Sequence, residues 1–93
     1  MTRADRIRAA LAALAPSELA VVDDSARHAG HAGASAAGES HFIVTIVSPQ
    51  FAGRTRIERQ RMVYALLDAE LRGGLHALQL TTRAPGEAPN EPR

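Results

Sequence analysis

The feature that most constrains the fold of this chain is a continuous block, from Gly38 to Thr81, in which two hydrophobic periods follow one another. Within HFIVTIV, the residues Phe42, Val44 and Ile46 alternate with other positions, and this period of two predicts a β-strand. The block continues with a turn, a long segment of helical period, a pair of glycines and a second strand. This order predicts a helix that crosses over a sheet and joins two parallel strands.

The helical segment of this block has a clear start and a clear end. Thr55 is followed three residues later by Glu58, the spacing of a capping box. The pair Gly73-Gly74 is typical of a helix C-terminus. The stripe predicted to face the core holds Ile57, Tyr64, Leu67 and Leu71, widened by Val63 and Leu66.

The rest of the chain adds a first helix and a first strand. Thr2 and Asp5 resemble a second capping box, and LAVVDD at positions 19–24 is rich in β-branched residues. A loop with three glycines separates that strand from the next one, and a last strand is predicted over 75–82. The order αββαβ predicts an α+β fold, with helices covering a three-stranded mixed sheet. The predicted core holds Phe42, Val44, Ile46, Tyr64, Leu67 and Leu78.

Length and composition restrict the organisation and the location of the protein. A chain of 93 residues forms one small domain, predicted over 1–84, and the composition of 85–93 is typical of a disordered tail. No apolar stretch is long enough to span a bilayer, and no secretory signal is visible, so the expected location is the cytoplasm. The chain has no cysteine, which excludes disulfides and thiolate ligands from this protein.

The four histidines divide into two predicted roles. His76 comes directly after the helix stop, at the start of the last strand, where the main chain would hold an imidazole in a fixed position, as a metal ligand requires. His28 and His31 have the spacing H-x-x-H on the long loop, so either could reach the same ion. His41 stands beside Phe42 at the start of a strand, and we expect a structural role for it.

The chain contains five distinctive segments, VVDDS-x-x-H, GESHF, VSPQFAG, RQRMVYALL and GLHAL. Together they resemble the BolA family, and the resemblance runs from about Ile7 to Ala84. The resemblance implies a class II KH-like fold with the αββαβ order. It also implies a loop histidine as ligand: counted from VVDDS, the family's position falls on His28, with His31 as the second candidate.

The resemblance further implies an adaptor function in iron–sulfur cluster trafficking and iron homeostasis. Its expected partner is a monothiol glutaredoxin, with which it would hold a shared [2Fe–2S] cluster. The glutaredoxin would supply thiolates from its cysteine and from a bound glutathione, and this chain would supply His76 and a loop histidine. The expected assembly is a monomer alone and a heterodimer with the partner.

The alternative that the resemblance implies is a DNA-binding transcriptional regulator of stress response and morphology, acting through the KH-like surface. A KH domain clamps the nucleic-acid backbone through a GxxG loop. Gly30-His31-Ala32-Gly33 has this spacing, but it lies in the loop between two strands and not between two helices, so we interpret it as a chance match. The arginines that begin the second helix, at positions 54, 56, 59 and 61, scatter around it, and we expect them to be solvated. With a net charge of +1, the chain is expected to bind nucleic acid weakly at best.

An enzyme is the third alternative, and the sequence does not favour it. It shows no pattern typical of a nucleophile with its base, of a phosphate-binding loop or of paired catalytic carboxylates. Asp23 and Asp24 are adjacent at the end of a strand, so their side chains diverge. We therefore predict that the protein is not an enzyme.

Overall fold

A computed structural model of the chain describes residues 1–24 and 40–87. Its elements are α1 (Arg3–Leu11), β1 (Glu18–Asp23), β2 (His41–Val47), α2 (Arg56–Leu66), α3 (Asp68–Arg72) and β3 (Ala77–Arg83). Two short 3₁₀ turns follow α1 and β2, at Ala12–Leu14 and Pro49–Phe51. The predicted order is confirmed, with α3 as an additional short helix.

The three strands form one mixed sheet in the order β1-β2-β3. β1 pairs with β2 in antiparallel orientation, with Glu18 opposite Val47. β2 pairs with β3 in parallel orientation, from His41 opposite Ala77 to Val47 opposite Arg83. The α2–α3 segment makes the crossover that parallel pairing requires. The predicted three-stranded mixed sheet and the α+β class are thus confirmed, and the bounds of β2 coincide with the HFIVTIV segment.

The helices cover one face of the sheet, and the period of two along β2 decides which residues are buried there. Phe42, Val44 and Ile46 have at most 2% of their surface exposed, whereas His41 and Ile43 are half-buried on the opposite face. The helices and turns contribute the remaining large members of the core: Ile7, Leu11, Leu14, Phe51, Val63, Leu67 and Leu75. Leu78 is partly buried and packs against this cluster.

Both longer helices begin at the predicted capping boxes. The Thr2 hydroxyl accepts from the Asp5 amide at 3.1 Å, and the Asp5 carboxylate accepts from the Thr2 amide at 3.1 Å. Thr55 and Glu58 make the same reciprocal pair, at 2.8 and 3.1 Å. These hydrogen bonds from the threonines hold the pKa values of Asp5 and Glu58 below their ordinary values.

The predicted core stripe of α2 is wrong in two of its members. Ile57 is 60% exposed and Tyr64 is 39% exposed, so neither belongs to the core. The stripe that faces the sheet is formed by Arg59, Val63 and Leu67. Ile57 lies about 160° around the helix from Arg59. The predicted stripe is wrong because a pattern based on apolar residues cannot count a charged residue, here Arg59, as part of the core.

The crossover is two helices rather than the single long helix that was predicted. At Leu67 the backbone leaves helical geometry, with φ −98° and ψ 10°, and α2 ends there. The Leu71 amide still donates to the Leu67 carbonyl at 2.9 Å, so the chain resumes at once as α3. Leu67 itself is completely buried. The turn that follows contains Gly73-Gly74, as predicted.

Contacts of the folded domain extend beyond the predicted boundary at residue 84. The Glu87 carboxylate accepts from both terminal nitrogens of Arg59, at 2.7 and 2.8 Å, and from the Ala84 amide at 3.0 Å. Residues 88–93 of the predicted tail lie outside the described residues. Within the described ranges, no helix has the length and apolar character needed to cross a membrane.

Candidate metal-ligand site

His76 combines a fixed main chain with an accessible side chain. Its amide donates to the Ser40 carbonyl at 2.8 Å, and the same carbonyl accepts from the Ala77 amide at 3.2 Å. Leu75, immediately before it, is 3% exposed and belongs to the core, whereas the His76 residue itself is exposed. A histidine anchored in this way can present its imidazole to a ligand outside the domain.

The turn before His76 is closed by main-chain hydrogen bonds. The Glu70 carbonyl, at the end of α3, accepts from the Gly73 amide at 3.1 Å and from the Leu75 amide at 3.0 Å. Gly74 has φ +122°, a conformation that favours glycine over residues with a side chain. The double glycine therefore ends α3 and turns the chain directly into the histidine and β3.

His41 has a different environment, although it lies at the same end of the sheet. It opens β2 opposite Ala77, and its Nδ1 lies 2.8 Å from the hydroxyl of buried Ser40. Its carbonyl accepts from the Asp24 amide at 2.8 Å. The alternation of strand residues directs the His41 side chain to the face opposite that of Phe42. The structural role expected for His41 stays a prediction.

The open face of the sheet has a shallow depression of about 380 Å³ beside His41. Ile43 and Ala77 form an apolar part of its lining, and Asp24 and Gln79 add polar groups. This depression was not predicted from the sequence. Its residues come from three different strands or strand ends, so no spacing along the chain indicates it.

The loop histidines His28 and His31 lie outside the described residues. The two ends of their segment are described, and both are at the His76 end of the sheet. Ser40 contacts the His76 amide, and Asp24 contacts His41. Within residues 1–24 and 40–87, no three His, Cys, Asp or Glu residues are grouped closely enough to hold a metal ion. The described part of the chain thus offers His76 as a single, incomplete element of the predicted ligand set.

The arginines of α2 are not equivalent to one another. Arg54, Arg56 and Arg61 are exposed, as predicted for a solvated helix start. The expectation of solvation is wrong for Arg59, whose side chain is 9% exposed and paired with Glu87. The hydrogen bonds that Arg59 donates to Glu87 raise the pKa of Arg59, although burial opposes this shift. The guanidinium also lies over the Phe51 ring, 6.0 Å from its centroid.

Comparison with known proteins identifies relatives of the whole domain. The chain is similar to the chloroplastic protein BOLA1 of Arabidopsis thaliana, with 46% identity over 92 residues, which cover 96% of this chain and 58% of that protein. It is similar to the DNA-binding transcriptional regulator BolA of Escherichia coli, with 46% identity over 71 residues, which cover 76% of this chain and 64% of the relative. The chain thus spans only part of the length of these relatives.

The fold has close counterparts among solved structures. BolA1 from Arabidopsis thaliana superposes with a TM-score of 0.83 at 42% identity, covering 96% of this chain and 99% of that chain. The solution structure of BolA1 from Mus musculus gives a TM-score of 0.72 at 32% identity, covering 89% of this chain and 65% of that chain. The family model described as BolA-like protein matches residues 11–87. This chain therefore belongs to the BolA-like protein family.

Proposed function

We propose that this protein is a BolA-like adaptor that binds a monothiol glutaredoxin and contributes histidine ligands to a shared [2Fe–2S] cluster. The observation that carries the proposal is that His76 has an anchored main chain and an exposed side chain. Its main chain is anchored to Ser40 and its side chain is exposed, so a partner can approach the imidazole without disturbing the core. A ligand of this kind keeps its position when the metal arrives, which lowers the cost of ordering it.

The residues of this chain fit one half of such a site. The chain contains no cysteine, so thiolate ligands have to come from the partner, through its cysteine and a bound glutathione. His76 would be the first histidine ligand and His28 or His31 the second. When bound, the cluster supplies one-electron chemistry, and two imidazoles in place of two thiolates on one iron raise its reduction potential.

The position of the loop ends supports a second ligand from the loop. Asp24 and Ser40, which border the segment with His28 and His31, both lie at the His76 end of the sheet. His28 is the first candidate because the resemblance to the family places its loop histidine there, and His31 is the second.

Mixing the purified protein with a cluster-loaded monothiol glutaredoxin tests the proposal. We expect the visible absorption and circular dichroism of the glutaredoxin cluster to change on mixing. The variant His76→Ala should abolish this change, even where the two proteins still associate. His41→Ala is the matched control at the same end of the sheet, and it should retain the spectrum of the complex. If His76→Ala retains the full spectrum of the complex, the ligand assignment and the adaptor mechanism are wrong.

The two loop histidines are separated by a second set of variants. His28→Ala should remove most of the spectral change, unless His31 replaces it as ligand. In that case His31→Ala alone has a small effect, and only the double variant is silent. If the double variant gives the same spectrum of the complex as the wild type, the loop does not supply a ligand.

A second candidate function is regulation of transcription through DNA binding. It is supported by the name of the Escherichia coli relative and by the exposed arginines Arg54, Arg56 and Arg61 on α2. Binding that depends on these residues should weaken steeply with added salt. We expect weak binding at physiological salt, because the net charge is +1 and Arg59 is neutralised by Glu87. Tight, sequence-selective binding by the isolated protein would favour this function over the adaptor.

A further inference from the structure

The side chain of Arg3 reaches from the first turn of α1 to the turn that precedes His76. Its Nη1 donates to the Glu70 carbonyl at 3.2 Å and its Nη2 to the Gly73 carbonyl at 3.0 Å. The side chain is 12% exposed, so most of the guanidinium is covered by the protein. Carbonyls at the end of a helix lack partners within the helix, and a cation there is also favoured by the helix dipole.

The carbonyl that Arg3 contacts is the one that anchors the turn. The Glu70 carbonyl also accepts from the Leu75 amide, one residue before His76. Arg3 packs against the turn itself, since a Cβ atom on Gly74 would lie 3.2 Å from its Nη2. A single guanidinium thus contacts both carbonyls that define where α3 ends and where the chain turns towards the histidine.

The guanidinium is held in this position from its other side by an acidic side chain. The Glu70 carboxylate lies 3.6 Å from Nε of Arg3, and its second oxygen accepts from Nε of Arg6 at 3.0 Å. Glu70 therefore contributes its carbonyl to the turn and its carboxylate to the arginines of α1. This arrangement connects two helices that are far apart in sequence to the turn that ends one residue before an exposed histidine.

We propose that Arg3 is a positioning residue for His76. By closing the carbonyl end of α3, it fixes the turn from one side, while the Ser40 carbonyl fixes the His76 amide from the other. The part of this proposal in which Arg3 helps His76 to act as a metal ligand rests on the proposed function. The part in which Arg3 restrains the turn does not. Lysine cannot replace Arg3, because two carbonyls are bound by two nitrogens of one planar fork.

The test compares four variants in two measurements. Arg3→Ala removes the contact with the turn, and Arg3→Lys keeps the charge and the aliphatic stem without the fork. Arg6→Ala removes the neighbouring ion pair with Glu70 but leaves the turn carbonyls bound. Arg72→Ala removes an exposed arginine of α3 that pairs with Asp68 at 2.7 Å.

The first measurement uses the protein without any cluster. Native-state hydrogen exchange of the Leu75 and His76 amides and the NMR signals of the His76 imidazole report directly on the turn. In Arg3→Ala and Arg3→Lys we expect these amides to exchange at least about tenfold faster and the imidazole signals to shift, as loss of a local restraint predicts. Arg6→Ala and Arg72→Ala should leave the imidazole signals at their wild-type positions. Wild-type exchange and signals in both Arg3 variants would overturn the proposal.

The second measurement uses the complex with cluster-loaded glutaredoxin. When a residue that orients a metal ligand is removed, metal affinity falls by about 10–100-fold. We expect Arg3→Ala and Arg3→Lys to lower the affinity for the cluster-loaded glutaredoxin, followed by the change in visible spectrum, by a factor of this size. Wild-type affinity in both variants, with a silent His76→Ala, would overturn the positioning role. If His76→Ala itself keeps the spectrum, the proposed function fails, and the exchange measurement still decides whether Arg3 restrains the turn.

Discussion

At the start of β2 and β3 three neighbouring positions have exposed or half-buried side chains, whereas the turn that follows β2 at the other end of the sheet contributes completely buried side chains. His76 and Ala77 are exposed, and His41 is half-buried. At the other end, Ser48 is completely buried and its hydroxyl donates to the Leu14 carbonyl at 2.6 Å. Phe51 is also completely buried. We call the end with Ser48 and Phe51 the packed end, and we infer that it contributes more to stability while the other end carries the candidate site.

The packed end has an unusual component in the pair formed by Arg59 and Glu87. The arginine stem lies in the core stripe of α2, and its head is bound by two carboxylate oxygens. Bidentate pairs of this kind fix geometry as well as charge. The pair connects α2 to the chain after β3, so it closes the packed end of the sheet. At the histidine end, main-chain hydrogen bonds and the contacts of Arg3 with the turn have this role.

The largest effect is expected from the packed end. Phe51→Ala should lower the free energy of unfolding by about 3–5 kcal/mol, because it leaves a cavity in the core. Urea denaturation measures the loss, and NMR of the variant below its unfolding transition should show wild-type signals for the His76 imidazole. A shift of those signals as large as the one caused by Arg3→Ala would contradict the separation of the two ends.

A smaller loss of unfolding free energy is expected when the ion pair between Arg59 and Glu87 is broken. Arg59→Met keeps the apolar stem but leaves the Glu87 carboxylate without its cation, and it should cost about 2–3 kcal/mol. Urea denaturation is again the measurement. Arg61→Met is the matched control, an exposed arginine on the same helix, and it should stay within about 0.5 kcal/mol of the wild type. Equal costs for the two variants would mean that Arg59 contributes no more than a surface charge.

A change at the histidine end should cost less again. His41→Ala removes the contact between its Nδ1 and the Ser40 hydroxyl, and we expect a loss of about 1 kcal/mol, typical of a single hydrogen bond. Thermal and urea unfolding measure this loss. A cost near that of Phe51→Ala would show that the histidine end contributes to stability as strongly as the packed end.

The smallest effect concerns the start of α2 and depends on pH. The pKa of Glu58 is lowered in the folded protein by its hydrogen bonds with Thr55, so its stabilising contribution is complete above the unfolded value, about 4.3 for glutamate. That contribution is lost as the pH falls through the lower, folded pKa. In Glu58→Gln the group no longer titrates. The difference in unfolding free energy between variant and wild type should therefore shrink on acidification, and a constant difference from pH 7 to pH 3 would exclude this linkage.

The parts of the fold that were predicted correctly depend on neighbours along the chain. Thr2 with Asp5, and Thr55 with Glu58, cap helices through atoms three residues apart, so local spacing is sufficient. The strand β2 was predicted at its observed bounds because its alternation reflects one buried face. The position of His76, two residues after the double glycine, also follows from local order. Whether His28 or His31 joins it stays a prediction.

The predictions that failed depend on contacts between distant parts of the chain. Tyr64 was predicted in the core because apolar periodicity cannot show that Arg59 occupies the core side of the helix. Arg59 can do so only because Glu87, far along the chain, neutralises it there. The contact of Arg3 with the turn before His76 also joins distant parts of the chain, and the sequence did not predict it. The sequence by itself determined the strands, the two capped helix starts, their order and the position of His76 after the glycine turn, because these follow from local hydrogen bonding and periodicity. Only the tertiary structure decided which charged side chains are buried, because burying a charge requires a partner that folding brings from elsewhere.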